Sequence, residues 1–445
     1  MILRDPVHGL VAFEGLAEEV VGRLLTAVEL QRLRGIRQLG FTSLVFPGAE
    51  HSRFSHALGA AHVMVRYLER IKATQGILPA TERLDEEAEA DALAAALLHD
   101  LGHGAFSHLS EEVLPLGRPH ESWTVDAIMD PRGEVRGILE SLSPGMPQRV
   151  AKLVRGEHRL GYLARAVSGT IDVDRCDYLL RDSHMTGVSY GVYDLAWLLR
   201  ALTPAQAPSG DWVMAIEGRK GLPPIEGFFL ARQFMYQQVY HHKATRAAEA
   251  IIRAIFTRTT ELVREGAPPH GTPPALVDAI EGREVAVRDY LKLDDLCLLS
   301  AFRAWEESKD ATLSELTRRL SRRVLPKTVP LPVGGDADGR WARALREARR
   351  IVHAAGLRPD LSVWVDNPSD VPFAEPDDES PDGLWVTLRH QPVQRLGRIS
   401  FLLGELRNKR IERPRLVFPA DFRSEVEAVM AREGLGGSAP TWRGP

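Results

Sequence analysis

The sequence predicts a mainly α-helical protein with a smaller α+β region toward its C-terminal end. Apolar residues recur at helical spacing from Leu16 to Leu39, and such spacing is the main signature of an amphipathic helix. Residues 84–100 begin acidic and finish as an Ala/Leu run, which suits the dipole at a helix start and then a buried helix. Prolines cluster from Pro268 onward. At roughly 100–200 residues per domain, we expect a helical core over residues 1–265 and a smaller α+β region over 266–445.

The expected elements follow one another along the chain as an extended piece, a series of helices, and then strands separated by an acidic, Pro-rich loop. The extended piece covers 3–13, a loop interrupts the first helices at 46–48, and the helices are expected over 16–39, 52–72, 84–100, 119–203 and 224–265. The strands are expected over 361–365 and 384–388, with a weaker third over 399–403 and the acidic loop over 366–382.

The composition excludes several classes of protein. With 56 Lys+Arg against 60 Asp+Glu the formal net charge is −4, so we do not expect nucleic acid as the main substrate. Two cysteines cannot form a disulfide framework and indicate a reducing compartment. No stretch approaches the ~20 apolar residues of a membrane helix, and Arg4 and Asp5 precede any apolar run, which argues against a signal peptide. We therefore expect a cytoplasmic protein with no membrane partner.

The strongest chemical signal is the adjacent pair His99-Asp100 at the end of the predicted buried helix. Neighbouring side chains of a helix point about 100° apart, so both can reach one ion where the helix ends. His56 in the run HSRFSH and Asp174 in the run IDVDRCDYLLRD are further candidates. Two imidazoles and two carboxylates form a mixed nitrogen and oxygen set suited to Fe, Mn, Zn or Co, with positions open for water and substrate. The sequence thus predicts one divalent transition metal.

This order of residues, H…HD…D, resembles the signature of the HD-domain phosphohydrolases. Seven segments are similar, in order, to those of the deoxynucleoside triphosphate triphosphohydrolases, above all the sterile-alpha-motif/HD hydrolases. They are DPVHG, QRLRGIRQLG, VFPGAEHSRFSHALG, LLHDLGHGAFSHLSE, RPHES, IDVDRCDYLLRDS and YHHK. The resemblance covers residues 1–265 well and 266–445 poorly. Since it begins near Met1, we expect no sterile-alpha-motif domain before it.

The resemblance implies which residues hold the metal and which act on the phosphate. The metal ligands would be His56, His99, Asp100 and Asp174. Asp172 is an alternative to Asp174, which we prefer because the ligand of the family directly precedes a basic residue. The histidines around the α-phosphate would be His103, His108 and His120, with Glu111 orienting one imidazole. Which histidine is the general acid stays open, because Glu111 stands where the similar proteins have Asp.

The resemblance also implies a substrate-binding set. Arg53, Arg175 and Arg232 would hold phosphates, and Gln38 and Leu39 would lie beside the sugar. Tyr178 and Asp182 are four residues apart and hence share a helix face. Asp182 would bind the 3′-hydroxyl, and the ring of Tyr240 would pack on C2′ and leave no room for a ribose hydroxyl.

A regulatory guanine nucleotide site is implied near the N-terminus. Gln31, Arg34 and the DPVHG segment match parts of it. The residue that reads guanine in the similar proteins is an Asp, which accepts two hydrogen bonds, whereas this chain has Thr26 with a single hydroxyl. We therefore expect activation by GTP to be weak or absent.

Taken together, the sequence predicts a hydrolase that converts deoxynucleoside triphosphates to deoxynucleoside and inorganic triphosphate. Mg²⁺ would accompany the substrate phosphates, and the resemblance implies a homo-oligomer, either dimer or tetramer. Two alternatives stay open: an HD-type phosphatase or phosphodiesterase that acts on another nucleotide, and a nucleotide-sensing protein that oligomerises on binding.

Overall fold

The computed structural model describes residues 1–114, 116, 118–376 and 383–435, without the side chains of His108 and Ser110. Within these residues the chain is mainly helical, and its strands form only small sheets. A helical core is followed by a smaller region in which helices and strands alternate. The predicted fold class is therefore confirmed.

The helices of the first part carry the candidate site. They are α1 (Leu16–Leu24), α2 (Val28–Gln31), α3 (Arg53–Thr74), α4 (Glu86–Leu98), α5 (His108–Val113), α6 (His120–Met129), α7 (Glu134–Leu142), α8 (Met146–Val154), α9 (Gly161–Val167), α10 (Val173–Thr186), α11 (Leu195–Arg200), α12 (Leu222–Met235) and α13 (Lys243–Arg264). One π-helical turn, Tyr236–Tyr240, continues α12.

The helices of the second part are shorter on average. They are α14 (Pro274–Ile280), α15 (Val287–Tyr290), α16 (Asp295–Trp305), α17 (Ala311–Ser321), α18 (Arg340–Ala354), α19 (Leu396–Ile399), α20 (Phe401–Leu406) and α21 (Arg423–Arg432).

The strands pair in small sheets. They are β1 (Ile2–Asp5), β2 (Gly9–Ala12), β3 (Leu202–Gln206), β4 (Trp212–Glu217), β5 (Lys327–Pro330), β6 (Trp364–Asp366), β7 (Ser369–Asp370), β8 (Trp385–Leu388), β9 (Gln391–Arg395), β10 (Ile411–Glu412) and β11 (Arg415–Phe418). The sheet orders are β1-β2, β3-β4-β8-β9, β5-β11-β6 and β10-β7. All pairs are antiparallel except β4 and β8.

Helix α4 is the buried centre of the first part. Asp85 accepts a hydrogen bond from the Ala88 backbone N–H at 2.8 Å and so caps the helix. The run Leu93–Leu98 is no more than 1% exposed, and α4 packs against α1, α3 and α8. Because every side of its last turns is covered, the helix ends inside the protein and delivers His99 and Asp100 to an interior site.

Two features cross the boundary that was predicted at residue 265. The sheet β3-β4-β8-β9 joins a hairpin of the first part to a hairpin of the second. Helix α13 packs its apolar side on α14 and α17. Because these elements connect both regions, they do not mark a boundary at residue 265. The division into 1–265 and 266–445 therefore stays a prediction.

The prediction of a weaker third strand over 399–403 is wrong. That segment instead contains the end of α19 and the start of α20. Ser400 accepts a hydrogen bond from the Leu403 backbone N–H at 3.0 Å, which is the capping contact that begins a helix. The acidic segment expected as a loop starts at the end of β6 and includes β7. Its residues 377–382 lie outside the described part of the chain.

Candidate active site

A cavity of about 520 Å³ opens beside the end of α4. This volume is within the range of small-molecule sites, which is roughly 300–1,000 Å³. Its lining includes these predicted residues: Gln38, Leu39, Arg53, His99, Asp100, His103, His120, Asp174, Arg175, Tyr178, Asp182 and Tyr240. The structure thus gathers most of the predicted site residues around one space.

The three donor groups of His56, His99 and Asp174 converge at one point. The Nε2 atoms of His56 and His99 are 3.3 Å apart. An Asp174 carboxylate oxygen lies 3.0 Å from the first and 3.5 Å from the second. The Asp100 carboxylate lies next to them, with one oxygen 3.3 Å from His99 Nε2 and the other 3.7 Å from His56 Nε2. These are the four ligands that the sequence predicts.

Outer hydrogen bonds aim both imidazoles at that point. His56 Nδ1 donates to Asp177 at 2.8 Å, and His99 Nδ1 donates to the Ala96 carbonyl at 2.9 Å. A carbonyl can only accept, so Nδ1 of His99 carries a proton, and in the neutral imidazole the Nε2 lone pair faces the other ligand atoms. The chemistry of the donor set, two imidazole nitrogens with carboxylate oxygens, fits Fe, Mn, Zn or Co.

The charges of this cluster attract a cation. Burial lowers the pKa of His56, but hydrogen bonds to Asp174 and Asp177 outweigh it and raise the pKa to about 10. Burial raises the pKa of Asp174, but hydrogen bonds from His56 and His99 lower it overall. Both effects keep the carboxylates ionised and draw positive charge, either a proton or a metal ion, between them.

Asp174 and Asp172 face different partners. Asp174 lies in the first turn of α10 and contacts the two histidines. Asp172 is the N-cap of α10: it accepts from the Arg175 backbone N–H at 2.7 Å and also pairs with the Arg175 guanidinium. Burial raises the pKa of Asp172 to about 7 although Arg175 lowers it. The geometry therefore favours Asp174 as the ligand.

The predicted proton-transfer residues lie beside Asp100. His103 Nδ1 is 3.2 Å from an Asp100 oxygen, and the rings of His103 and His120 are 3.7 Å apart. His120 Nδ1 donates to Glu111 at 2.8 Å. The side chain of His108 is outside the described part of the chain. The arrangement places two imidazoles beside the metal ligands, where they can exchange a proton with a substrate oxygen.

The three predicted phosphate-binding arginines are each paired with an aspartate. Arg53 pairs with Asp100, and Arg175 pairs with Asp172. Both arginines line the cavity.

Arg232 differs from these two in its position. Its guanidinium binds Asp370 of β7 at 2.9 Å and the carbonyls of Val371 and Pro372 at 3.1 and 3.2 Å. It is not among the residues that line the cavity. Arg232 as a phosphate ligand stays a prediction, and it requires this contact to open.

The predicted sugar-binding side chains lie next to the metal ligands. The centroid of the Tyr178 ring is 6.4 Å from that of His56 and 6.4 Å from that of Tyr240. The Tyr240 hydroxyl donates to Asp182 at 2.8 Å. Tyr240 ends the π-helical turn after α12, a rare element that often occurs at functional sites. Gln38 and Leu39 line the same cavity.

The predicted regulatory residues Gln31, Arg34 and Thr26 do not line the cavity, and the DPVHG segment contacts α10. Arg34 Nε donates to Gln31 at 2.7 Å, and its guanidinium lies 3.6 Å from the Phe54 ring centroid. The Thr26 hydroxyl donates to the Arg23 carbonyl at 2.8 Å. No contact of these side chains shows a nucleotide preference, so the expectation about GTP stays a prediction.

Sequence reasoning missed the buried residues that support the site. His51 Nε2 donates to Asp182 at 2.8 Å. Asp295, in the second part of the chain, accepts from the backbone N–H groups of Phe106 and Arg37 at 2.8 and 3.0 Å. It thereby holds the cavity loop at Phe106, whose φ of 62° is in the left-handed region. No local pattern predicts such partners, which lie far away in the sequence.

Two further buried residues hold the metal ligand His56 in place. Asp177 accepts from His56, and Arg181 donates to Asp177 at 2.8 Å. The run IDVDRCDYLLRD contains both residues, so the helical spacing of Asp174, Asp177 and Arg181 was the available signal.

Comparison with known proteins identifies the region around the cavity. The model of the HD domain family matches residues 53–182, which span the segment from α3 to Asp182.

None of the helices in the described part of the chain combines the length and the hydropathy that a membrane-spanning helix needs.

The chain is similar to proteins along most of its length. It is 35% identical to the uncharacterised protein YwfO of Bacillus subtilis, over 95% of this chain and 92% of that one. It is 27% identical to human deoxynucleoside triphosphate triphosphohydrolase SAMHD1, over 74% of this chain and 54% of that one. A solved phosphohydrolase of Bacteroides thetaiotaomicron aligns with a TM-score of 0.77 and 27% identity, over 94% of this chain and 99% of that one.

Proposed function

Because the chain belongs to the HD-domain phosphohydrolase family that includes the deoxynucleoside triphosphate triphosphohydrolases, we propose that it hydrolyses deoxynucleoside triphosphates to deoxynucleoside and inorganic triphosphate. The observation that carries this proposal is that one cavity is lined both by predicted metal ligands, His99, Asp100 and Asp174, and by predicted sugar-binding residues, Tyr178, Asp182 and Tyr240. A sugar bound beside the tyrosines would have its α-phosphate near the metal ligands.

The metal would be held by His56, His99, Asp100 and Asp174, whose donor atoms meet in the cavity wall. Such an ion supplies Lewis-acid activation of the phosphate and of a water nucleophile at neutral pH. The pair His103 and His120 lies beside Asp100 and can donate the proton that the departing 5′ oxygen needs.

Guanidinium groups would bind the phosphate groups of the substrate, and Mg²⁺ would accompany these phosphates. Arg53 and Arg175 line the cavity and carry planar forks that match phosphate oxygens. Both are held by aspartates, so they are positioned before substrate arrives. Arg232 would join them only after leaving Asp370.

The sugar would be selected by Tyr240 and Asp182. The hydroxyl of Tyr240 is tied to Asp182, which fixes the ring over the site. A fixed ring against C2′ excludes a ribose hydroxyl, and the free Asp182 lone pairs accept from a 3′-hydroxyl.

A product assay tests this proposal. Purified protein is incubated with each of the four dNTPs and rNTPs and with Mn²⁺ or Mg²⁺, and the products are resolved by ion exchange and reversed-phase chromatography. We expect deoxynucleoside and inorganic triphosphate in equal amounts. Pyrophosphate with a nucleoside monophosphate, or stepwise release of orthophosphate, contradicts the proposal and favours a different HD-type phosphohydrolase.

A further inference from the structure

We propose that His8, in the turn between β1 and β2, is a positioning residue for the metal centre that acts through Asp177 on His56. The N-terminal hairpin would then be part of the metal site, although it contributes no ligand. The inference rests on the metal-binding part of the proposed function and on none of its substrate part.

The Asp177 carboxylate is the junction of this arrangement. One of its oxygens accepts from His8 Nε2 at 2.7 Å and from Arg181 Nη2 at 2.9 Å. The other accepts from His56 Nδ1 and from Arg181 Nε, both at 2.8 Å. Each oxygen thus has two donors, and the carboxylate plane is fixed on both sides. The bond to His56 is the one that aims Nε2 at the other metal ligands.

The hairpin turn closes a ring of hydrogen bonds around this junction. Arg181 Nη1 donates to one Asp5 oxygen at 2.7 Å. The other Asp5 oxygen accepts from the backbone N–H of His8 at 2.9 Å, which fixes the turn that carries the His8 side chain. The ring therefore runs from Asp5 through His8 to Asp177 and back through Arg181. Each of these four residues is therefore hydrogen-bonded to two of the others.

This ring is buried, and a glycine of α3 leaves room for it. The side chains of Asp177 and Arg181 are 0% and 1% exposed, and that of His8 is 4% exposed. Gly59 lies on α3 one turn after His56, and a Cβ there would lie 1.9 Å from an Asp177 oxygen and 2.3 Å from Arg181 Nη2. Only glycine leaves room for the pair, so α3 carries both the ligand and the gap for its support.

Loss of the His8 side chain removes one of two donors from a buried carboxylate oxygen. Asp177 then has a looser orientation, and the imidazole of His56 is held less well for the ion. Mutation of a direct outer partner of a metal ligand, as Asp177 is to His56, typically weakens metal affinity about 10- to 100-fold. His8 is one contact further from the ligand, so the lower end of that range, about 10-fold, is expected. A hairpin that served only to cover the core would not change metal affinity in this way.

Cobalt binding to the full-length protein tests the inference. The metal-free wild type and the His8→Ala, His8→Gln and Leu10→Ala variants are titrated with Co²⁺, and affinity and the visible absorption band of bound Co²⁺ are measured. Gln places a donor nitrogen the same number of bonds from Cβ as Nε2 of His. Leu10 lies in the same hairpin and is 53% exposed, so Leu10→Ala controls for damage to the hairpin alone.

We expect His8→Ala to bind Co²⁺ about 10-fold more weakly, with an altered absorption band. We expect His8→Gln to recover a large part of that loss and Leu10→Ala to match the wild type. Wild-type affinity in His8→Ala, or an equal loss in Leu10→Ala, overturns the inference.

A second variant keeps the test decisive if His8→Ala does not fold. Asp5→Asn keeps an oxygen for the His8 N–H but removes the charge that faces Arg181, so a smaller loss of Co²⁺ affinity is expected. Unchanged affinity in a folded Asp5→Asn variant overturns the inference. Because Co²⁺ binding needs no substrate, a wild type that binds Co²⁺ but hydrolyses no dNTP refutes the proposed substrate and leaves the inference standing.

Discussion

The metal side and the arginine side of the cavity differ in what their charged groups face. On the metal side the donor atoms of His56, His99 and Asp174 point at one another within 3.0–3.5 Å. On the arginine side, Arg175 points at Asp172, and Arg53 points at Asp100, which is also the fourth predicted ligand. The converging donors can hold a cation, whereas each arginine already faces a carboxylate.

This difference assigns the two sides different roles. A group of converging donors gains its full stability from an ion, so the metal side should control whether the protein is active at all. Arginines that are already paired must share their N–H donors with an incoming phosphate, and this lowers their affinity for the phosphate. We therefore expect large effects from changes on the metal side and graded effects elsewhere.

The largest effect is expected from the double substitution of His99→Ala and Asp100→Ala. It removes two of four ligands, so the bound metal and the activity should both be lost. The loss of metal chemistry is worth several kcal/mol, which is at least about a hundredfold in rate. Elemental analysis and the product assay measure both quantities.

His184→Ala is the matched control, because His184 is an exposed histidine of α10. This variant should keep metal and activity. Circular dichroism checks that the double variant is folded, since it leaves the buried Arg53 without Asp100. Full activity in a folded double variant contradicts the assignment of the metal side.

A smaller effect is expected from Tyr240→Ala, which should narrow the difference in turnover between dNTPs and rNTPs. A 2′-hydroxyl that is buried without a partner costs roughly 1–3 kcal/mol, or about 10- to 100-fold in relative rate. Tyr240→Phe keeps the ring but loses the hydrogen bond to Asp182, so it separates the steric effect from the positional one.

Tyr190→Ala is the control for Tyr240→Ala, because Tyr190 is 61% exposed. The rates with each dNTP and its matching rNTP are compared for the four proteins. Equal turnover of both nucleotides by the wild type shows that Tyr240 is not a steric gate.

The smallest effect is expected from a change of pH by one unit, which alters the metal affinity. The pKa of His56 is raised to about 10 in the metal-free protein, so below that pH a metal ion must displace its proton. Affinity should therefore rise about tenfold per pH unit through the neutral range. Titrations with Co²⁺ at about pH 6, 7 and 8 measure this slope, and a flat profile contradicts it.

The same shift sets the stability of the metal-free protein. A histidine whose pKa is raised by folding contributes its full stabilisation below its unfolded value and loses it as pH rises through the folded value. For His56 that window runs from the ordinary histidine pKa of 6.5 to a pKa of about 10. The melting temperature of the metal-free protein should fall across this window, while the metal-loaded protein should resist the change.

The two sides of the cavity also differ in how well the sequence predicts them. His99 and Asp100 are adjacent at the end of a buried helix, and His56 and Asp174 lie at the first turns of α3 and α10. Residue type and local position propose His99 and Asp100, whereas the choice of Asp174 over Asp172 rests on the family resemblance. The partner of Arg53 is harder to predict, because its contact with Asp100 joins residues 47 positions apart.

The fold shows the same limit. Amphipathic spacing predicts the long helices, because their periodicity is local. The short apolar run at 399–403 is compatible with either a strand or a helix, and the capping contact of Ser400 decides for the helix. His8 could not be connected to Asp177, since 169 positions separate them and no periodic pattern extends that far.

Hydrolysis in ¹⁸O-labelled water shows which atom the nucleophile attacks. We propose that water, activated at the metal ligands, attacks the α-phosphorus of a dNTP and releases the 5′ oxygen with the deoxynucleoside. We expect mass spectrometry to find the heavy oxygen in inorganic triphosphate and none in the 5′-hydroxyl. Heavy oxygen in the deoxynucleoside, or in a nucleoside monophosphate, contradicts it.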